Sequence, residues 1–153
     1  MPFSRSSRAT QTLSAAALSA LLLASAGKHF RDPGFYDQVV PDILCRDDSG
    51  GRANGPLAVL SREEWVAVSG LLEAGAAVGL LIPATRRAAA GCVAVMFTLF
   101  LAGHADALRK AYGPDGSPRR RTVHTLRLPL QAPLIAWAWS LRAPGKAAAG
   151  IPA

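Results

Sequence analysis

Four apolar runs, at residues 9–27, 65–83, 88–105 and 128–141, leave this chain few ways to fold. A helix needs about 20 mostly apolar residues, rising 1.5 Å each, to cross a bilayer core. The first three runs meet that need. The fourth is a 14-residue uncharged stretch, a length that suits a buried or re-entrant helix unless residues 122–127 extend it and Arg127 snorkels or pairs inside a bundle. Composition agrees: half of the 153 residues are hydrophobic and 18% are charged, against about 25% in a soluble domain. The expected fold is all-α, an integral membrane four-helix bundle over residues 9–142. A polar N-terminal tail (1–8) precedes it and a disordered tail (143–153) follows.

Local signals bound the helices. Ser61-Arg62-Glu63-Glu64 has the form of a capping box, with the Ser61 hydroxyl accepting from the Glu64 amide and the Glu64 carboxylate reaching back to the Ser61 amide. Trp65 follows at the expected interface. Pro83 closes the second run, and Thr85-Arg86-Arg87 implies a tight hairpin into the third. Pro129 and Pro133 put two missing amide donors on one face of the fourth and invite a kink; Trp137 and Trp139 mark its far interface. The first run has two readings. Arg5 and Arg8 before an apolar core, with Ala24-Ser25-Ala26 after it, fit a cleaved signal peptide; a retained span is the expectation taken here.

Between the first two runs, Asp32-Pro33 has the form of a helix start. Phe35, Tyr36, Val39, Val40, Ile43 and Leu44 recur on one face. This pattern suits either a short interfacial helix broken at Pro41 or a loop packed on the helix ends. Residues 47–56 and 112–121 are loop by composition.

Net charge is +7, and 14 of the 17 basic residues are Arg, which with abundant Ala suggests a GC-rich bacterial genome. The one dense cluster, Arg119-Arg120-Arg121, borders apolar runs as membrane flanks do, so nucleic acid is not an expected partner. Cys45 and Cys92 form no CxxC pair and have no metal-ligand spacing, and no catalytic triad, phosphate loop or dinucleotide fingerprint occurs. Four spans place both termini and the Arg86-Arg87 hairpin on one side of the membrane. Counts of Arg and Lys in the long loops favour those loops inside, whereas the basic hairpin and N-terminus favour the termini inside; the latter is adopted.

Glu73 is the one acid within the runs. A charge at mid-span costs about 2.5–3.5 kcal/mol, which its Leu, Ile and Val neighbours offset. It reads either as a proton-handling or ligand-binding carboxyl or as a packing contact, and it is expected to face the bundle interior. Gly75 and Gly79 form a GxxxG that permits close helix approach. His29, His104 and His124 fall on the long-loop side. His29, His104, Arg127 and Gln131 make a candidate polar pocket, able to donate to a quinone carbonyl; no metal is expected.

Three strings carry a family resemblance: AGKHFRDPGFYDQVVP (26–41), SGLLEAGAAVGLLIPATRRAAA (69–90) and LRLPLQAPLIAWAW (126–139). In this order and spacing they resemble the DoxX family of small four-helix membrane proteins. That family is similar to the small membrane subunit of archaeal thiosulfate:quinone oxidoreductase. The resemblance implies a multi-pass protein of the cell membrane, in contact with lipid. It implies a redox-associated, quinone-linked subunit or anchor for a soluble or membrane oxidoreductase, and it assigns no catalytic residue. The alternatives are a small permease and a lipid-interacting or structural membrane protein without catalysis.

Overall fold

A computed structural model describes residues 3–46 and 57–143. Four long helices carry the fold: α1 (Phe3–Arg31), α2 (Arg62–Leu81), α3 (Arg86–Ala111) and α4 (Pro118–Ser140). Among the described residues no strand forms; a single parallel bridge joins Cys45 and Leu60. Three stretches, Arg8–Arg31, Arg62–Leu81 and Arg86–Ala111, are long and apolar enough to cross a membrane. The helix α4 is not. It starts earlier than its apolar run, at Pro118, where the Ser117 side chain accepts from the Arg120 amide, and its first turns carry the arginine cluster. Helix α1 begins at Phe3, inside the segment expected as a polar tail. The tail from residue 144 and the loop 47–56 lie outside the described residues.

Short-range chemistry fixes the helix ends. Both bonds of the Ser61/Glu64 capping box form. At the hairpin, the Thr85 hydroxyl donates to the Gly79 carbonyl at 2.8 Å and Arg86 Nε to the Leu80 carbonyl at 2.9 Å. These bonds satisfy carbonyls that the end of α2 leaves without amide partners. Despite Pro129 and Pro133, α4 continues as helix through both positions.

Small residues set the spacing between helices. The α1–α2 pair runs antiparallel, with the Ser19 hydroxyl on the Ala77 carbonyl at 2.8 Å and Gly70 against His29, where an added Cβ would sit 2.8 Å from the His29 Cβ. The GxxxG glycines divide. Gly79 faces Ala89 of α3, whereas Gly75 meets nothing within 4 Å, so Gly70 and Gly79 are the close-approach positions on α2. The core joins Ala15, Leu18, Leu22, Leu80, Val93 and Phe97 with further alanines.

Large apolar side chains also cover the outside of the helices, and a few polar groups lie within the apolar core. Leu13, Leu71, Leu99 and Leu126 are each more than 60% exposed, while Glu73, His29, His124 and Gln131 are each less than 9% exposed. On α4 the seven-residue stripe His124, Gln131, Ala138 faces inward, and Leu126 and Leu130 face out.

The segment after α1 is the packed loop of the two readings. It makes three 3₁₀ turns, Pro33–Phe35, Asp37–Val39 and Asp42–Leu44. No side chain caps the first of these; Asp32 instead pairs with Lys28 at 2.9 Å. The turns lie on the helix ends as a cap. Arg62 donates to the Asp37 and Val40 carbonyls and pairs with Asp42. Trp65 Nε1 donates to the Leu44 carbonyl at 2.7 Å, and Lys110 reaches Asp42 at 2.8 Å.

Candidate functional site

Two polar clusters lie beneath the cap, and the four residues expected in one pocket divide between them. The first is built on the α1–α2 contact. Because Gly70 lets His29 press onto α2, the imidazole reaches Glu73 one turn further along: Nδ1 stands 3.8 Å from Glu73 Oε2, with both side chains 4% exposed. The same Nδ1 lies 3.0 Å from the Ser25 carbonyl, so the N–H donates to that carbonyl and faces the carboxylate beyond hydrogen-bond reach. Tyr36, from the cap, stacks on the His29 ring with centroids 3.6 Å apart, and its hydroxyl lies 3.3 Å from the Ser25 hydroxyl. Glu73 Oε2 is fully buried and has no hydrogen-bond partner.

The second cluster belongs to α3 and α4. Gln131 Nε2 lies 2.8 Å from His104 Nε2. An amide nitrogen can only donate there, which puts the ring proton of neutral His104 on Nδ1. That Nδ1 and Gln131 Oε1 are buried without partners, leaving one donor and one acceptor open in this cluster. His124 Nε2 meets Gln38 Oε1 of the cap at 3.3 Å, and its Nδ1 is likewise unpartnered.

Arg127 takes a third place. Its guanidinium lies over the Phe35 ring at 4.4 Å from the centroid, with Lys28 Nζ at 4.1 Å from the same centroid. Two cations on one ring tie α4 and α1 to the cap, so Arg127 holds the cap instead of bonding to Gln131. His29 likewise belongs with Glu73 and not with His104. Ser25, Tyr36, Gln38 and His124 are participants that the sequence reading left out of the pocket. Ser25–His29 spacing (i, i+4) and the seven-residue spacing of His124 and Gln131 are the signals that put each pair on one helical face.

Neither cysteine joins a site. Cys45 is buried and Cys92 exposed, both as free thiols. Burial pushes the Cys45 thiol up from its ordinary value, which disfavours the reactive thiolate. Among the described residues no group of three His, Cys, Asp or Glu side chains is placed to hold a metal ion.

Residues 18–142 match the profile of a family described as a domain of unknown function, DUF8561. The chain belongs to that family. No curated protein and no solved structure matches it.

Proposed function

We propose that this member of the DUF8561 family is a multi-pass protein of the cell membrane, similar in kind to the DoxX proteins. In this reading it serves as the redox-associated, quinone-linked membrane subunit or anchor of an oxidoreductase. Support for the membrane setting comes from the outer surface: leucines point outward from all four helices, around an apolar core that also holds carboxyl, imidazole and amide groups. Lipid replaces water around such a surface at little cost, and intramembrane ionisable groups facing the bundle interior are the expected pattern. In this reading α4 is the fourth span, its polar side shielded by the other three.

The observation that carries the redox reading is the buried, unpartnered Glu73 Oε2 opposite His29 Nδ1. Reducing a quinone to a quinol takes up two protons with two electrons, so a quinone-linked subunit needs groups that deliver protons where water is excluded. Glu73 and His29 are such groups, and Tyr36 roofs them. A quinone headgroup also needs donors for its carbonyls, and His104 Nδ1 is an open one; its fit is chemical, by donor type and burial. The experiment is Glu73→Gln in native membranes. The amide keeps shape and hydrogen bonding without a titratable proton. Fold and partner co-purification in mild detergent are expected to persist while quinone-dependent activity falls by about a hundredfold. Full activity in that variant overturns the reading.

The open polar groups on the inner faces of α2 and α4 favour a second reading, a small permease. It is distinguished by pH-dependent uptake that Glu73→Gln abolishes without any change in quinone-dependent activity.

A further inference from the structure

At the opposite end of the bundle from the cap, the sequence places no acid at all. Asp and Glu are absent from residues 1–31, 74–105 and 116–153, the stretches that supply the α1 start, the α2–α3 hairpin and the α4 end. Arg8, Arg86, Arg87 and Arg142 gather there, and none of them pairs with a carboxylate among the described residues. Arg86 is absorbed by the fold: it is buried, with Nε on the Leu80 carbonyl and Nη1 3.3 Å from the Thr12 hydroxyl.

Arg87 and Arg142 are held in place yet left exposed. Arg87 Nε donates to the Arg142 carbonyl at 3.1 Å, which fixes the guanidinium and leaves its two terminal nitrogens without a partner among the described residues. Arg142 lies between two helices: its guanidinium is 4.2 Å from the centroid of Trp139, and its other side passes over Gly91, where even a Cβ would stand only 3.4 Å from Nε. Neither arginine pairs with a carboxylate among the described residues. Between them opens a groove lined by Arg87, Ala88, Trp139, Ser140, Arg142 and Ala143, beside the first turn of α3, whose Thr85 N-cap makes no side-chain cap. Two fixed guanidiniums and a helix start match a phosphate diester; the Ser140 hydroxyl at the rim donates to the Trp137 carbonyl at 2.7 Å and is not one of its donors. The exposed indole of Trp139 suits the boundary where such a diester carries acyl chains.

We infer that this groove is a seat for the headgroup of an anionic phospholipid. The inference rests on the membrane reading above. Each arginine is expected to contribute about fivefold to the preference for anionic over zwitterionic lipid, and the pair about twenty-five-fold.

The test uses the full chain reconstituted in vesicles of phosphatidylcholine, alone or mixed with phosphatidylglycerol, then extracted gently and weighed with its retained lipid by native mass spectrometry. Wild type should retain phosphatidylglycerol preferentially. The double variant Arg87→Gln/Arg142→Gln should lose that preference, and Arg87→Lys/Arg142→Lys should keep most of it. A protein that floats with phosphatidylcholine vesicles but shows no lipid preference, or whose preference survives the glutamine pair, overturns the seat and leaves the membrane reading standing. A protein that floats with neither vesicle overturns both. Inorganic phosphate that displaces phosphatidylglycerol on its own identifies a site for a free anion and overturns the lipid assignment.

Discussion

Gly103 shows how much one missing methyl group decides. A Cβ there would stand 2.0 Å from the Val39 carbonyl oxygen, so Gly103→Ala must push the cap off α3. A loss of about 1–3 kcal/mol is expected, as for other overpacked positions, read as a lower unfolding midpoint in detergent. Gly75→Ala is the counter-case. With open space around it and a helical backbone, it should raise stability by about 0.5–1 kcal/mol. Arg86→Ala strips a buried carbonyl of a charged donor and should cost about 1.5–3 kcal/mol, while Arg87→Ala, at the surface, should stay within about 0.5 kcal/mol. Glu73 was legible as a residue because a lone acid in an apolar run stands out by itself. Its partner was not: His29 meets Glu73 through the α1–α2 register, which Gly70 sets across 41 residues of chain, and local spacing does not carry that information.

The cap is the element whose stability should follow pH. Lys110, bonded to Asp42, and Arg62 beside it hold the Asp42 carboxyl below its ordinary value against the opposing effect of burial. A depressed carboxyl contributes stability above its unfolded pKa and loses it as pH falls through the folded one. The cap should therefore loosen only on acidification below the usual carboxylate range, and Asp42→Asn should remove that dependence. Hydrogen exchange at the amides of 37–45 reports it; unchanged protection at low pH would mean that the Arg62 contacts to backbone suffice. The same segment marks a limit of pattern reading. Its helical spacing gave the apolar face, but Pro33 and Pro41 cut it into turns of three residues each, too short for an amphipathic helix. Helix α2 was legible from end to end because a capping box and a proline, both local, bound it. Helix α4 was legible only in its apolar half; its N-terminal half is recognisable once the stripe His124, Gln131, Ala138 is seen to face inward.

For the molecule as a whole, the exposed leucine belt separates a lipid setting from an aqueous one. Leu99 is 68% exposed near the middle of α3. In water, Leu99→Lys would be nearly neutral, within about 0.5 kcal/mol. In a bilayer it should cost about 2.5–3.5 kcal/mol on insertion scales. Membrane-fraction yield under alkaline carbonate wash is the readout, with Leu57→Lys, exposed ahead of α2, as the matched control. Equal yields for the two variants would argue against the lipid setting.

The cap is gripped largely by its carbonyl oxygens. Those of Asp37 and Val40 go to Arg62, that of Leu44 to Trp65, and that of Val39 rests on Gly103. Every residue type carries the same carbonyl, so these contacts do not constrain which letters stand at 39, 40 and 44. Across relatives, the geometry of this lid should be inherited through Arg62, Trp65 and Gly103, while the lid's own sequence drifts. In protein engineering the same freedom makes 39, 40 and 44 suitable positions for a reporter side chain, provided the three receiving residues are left alone.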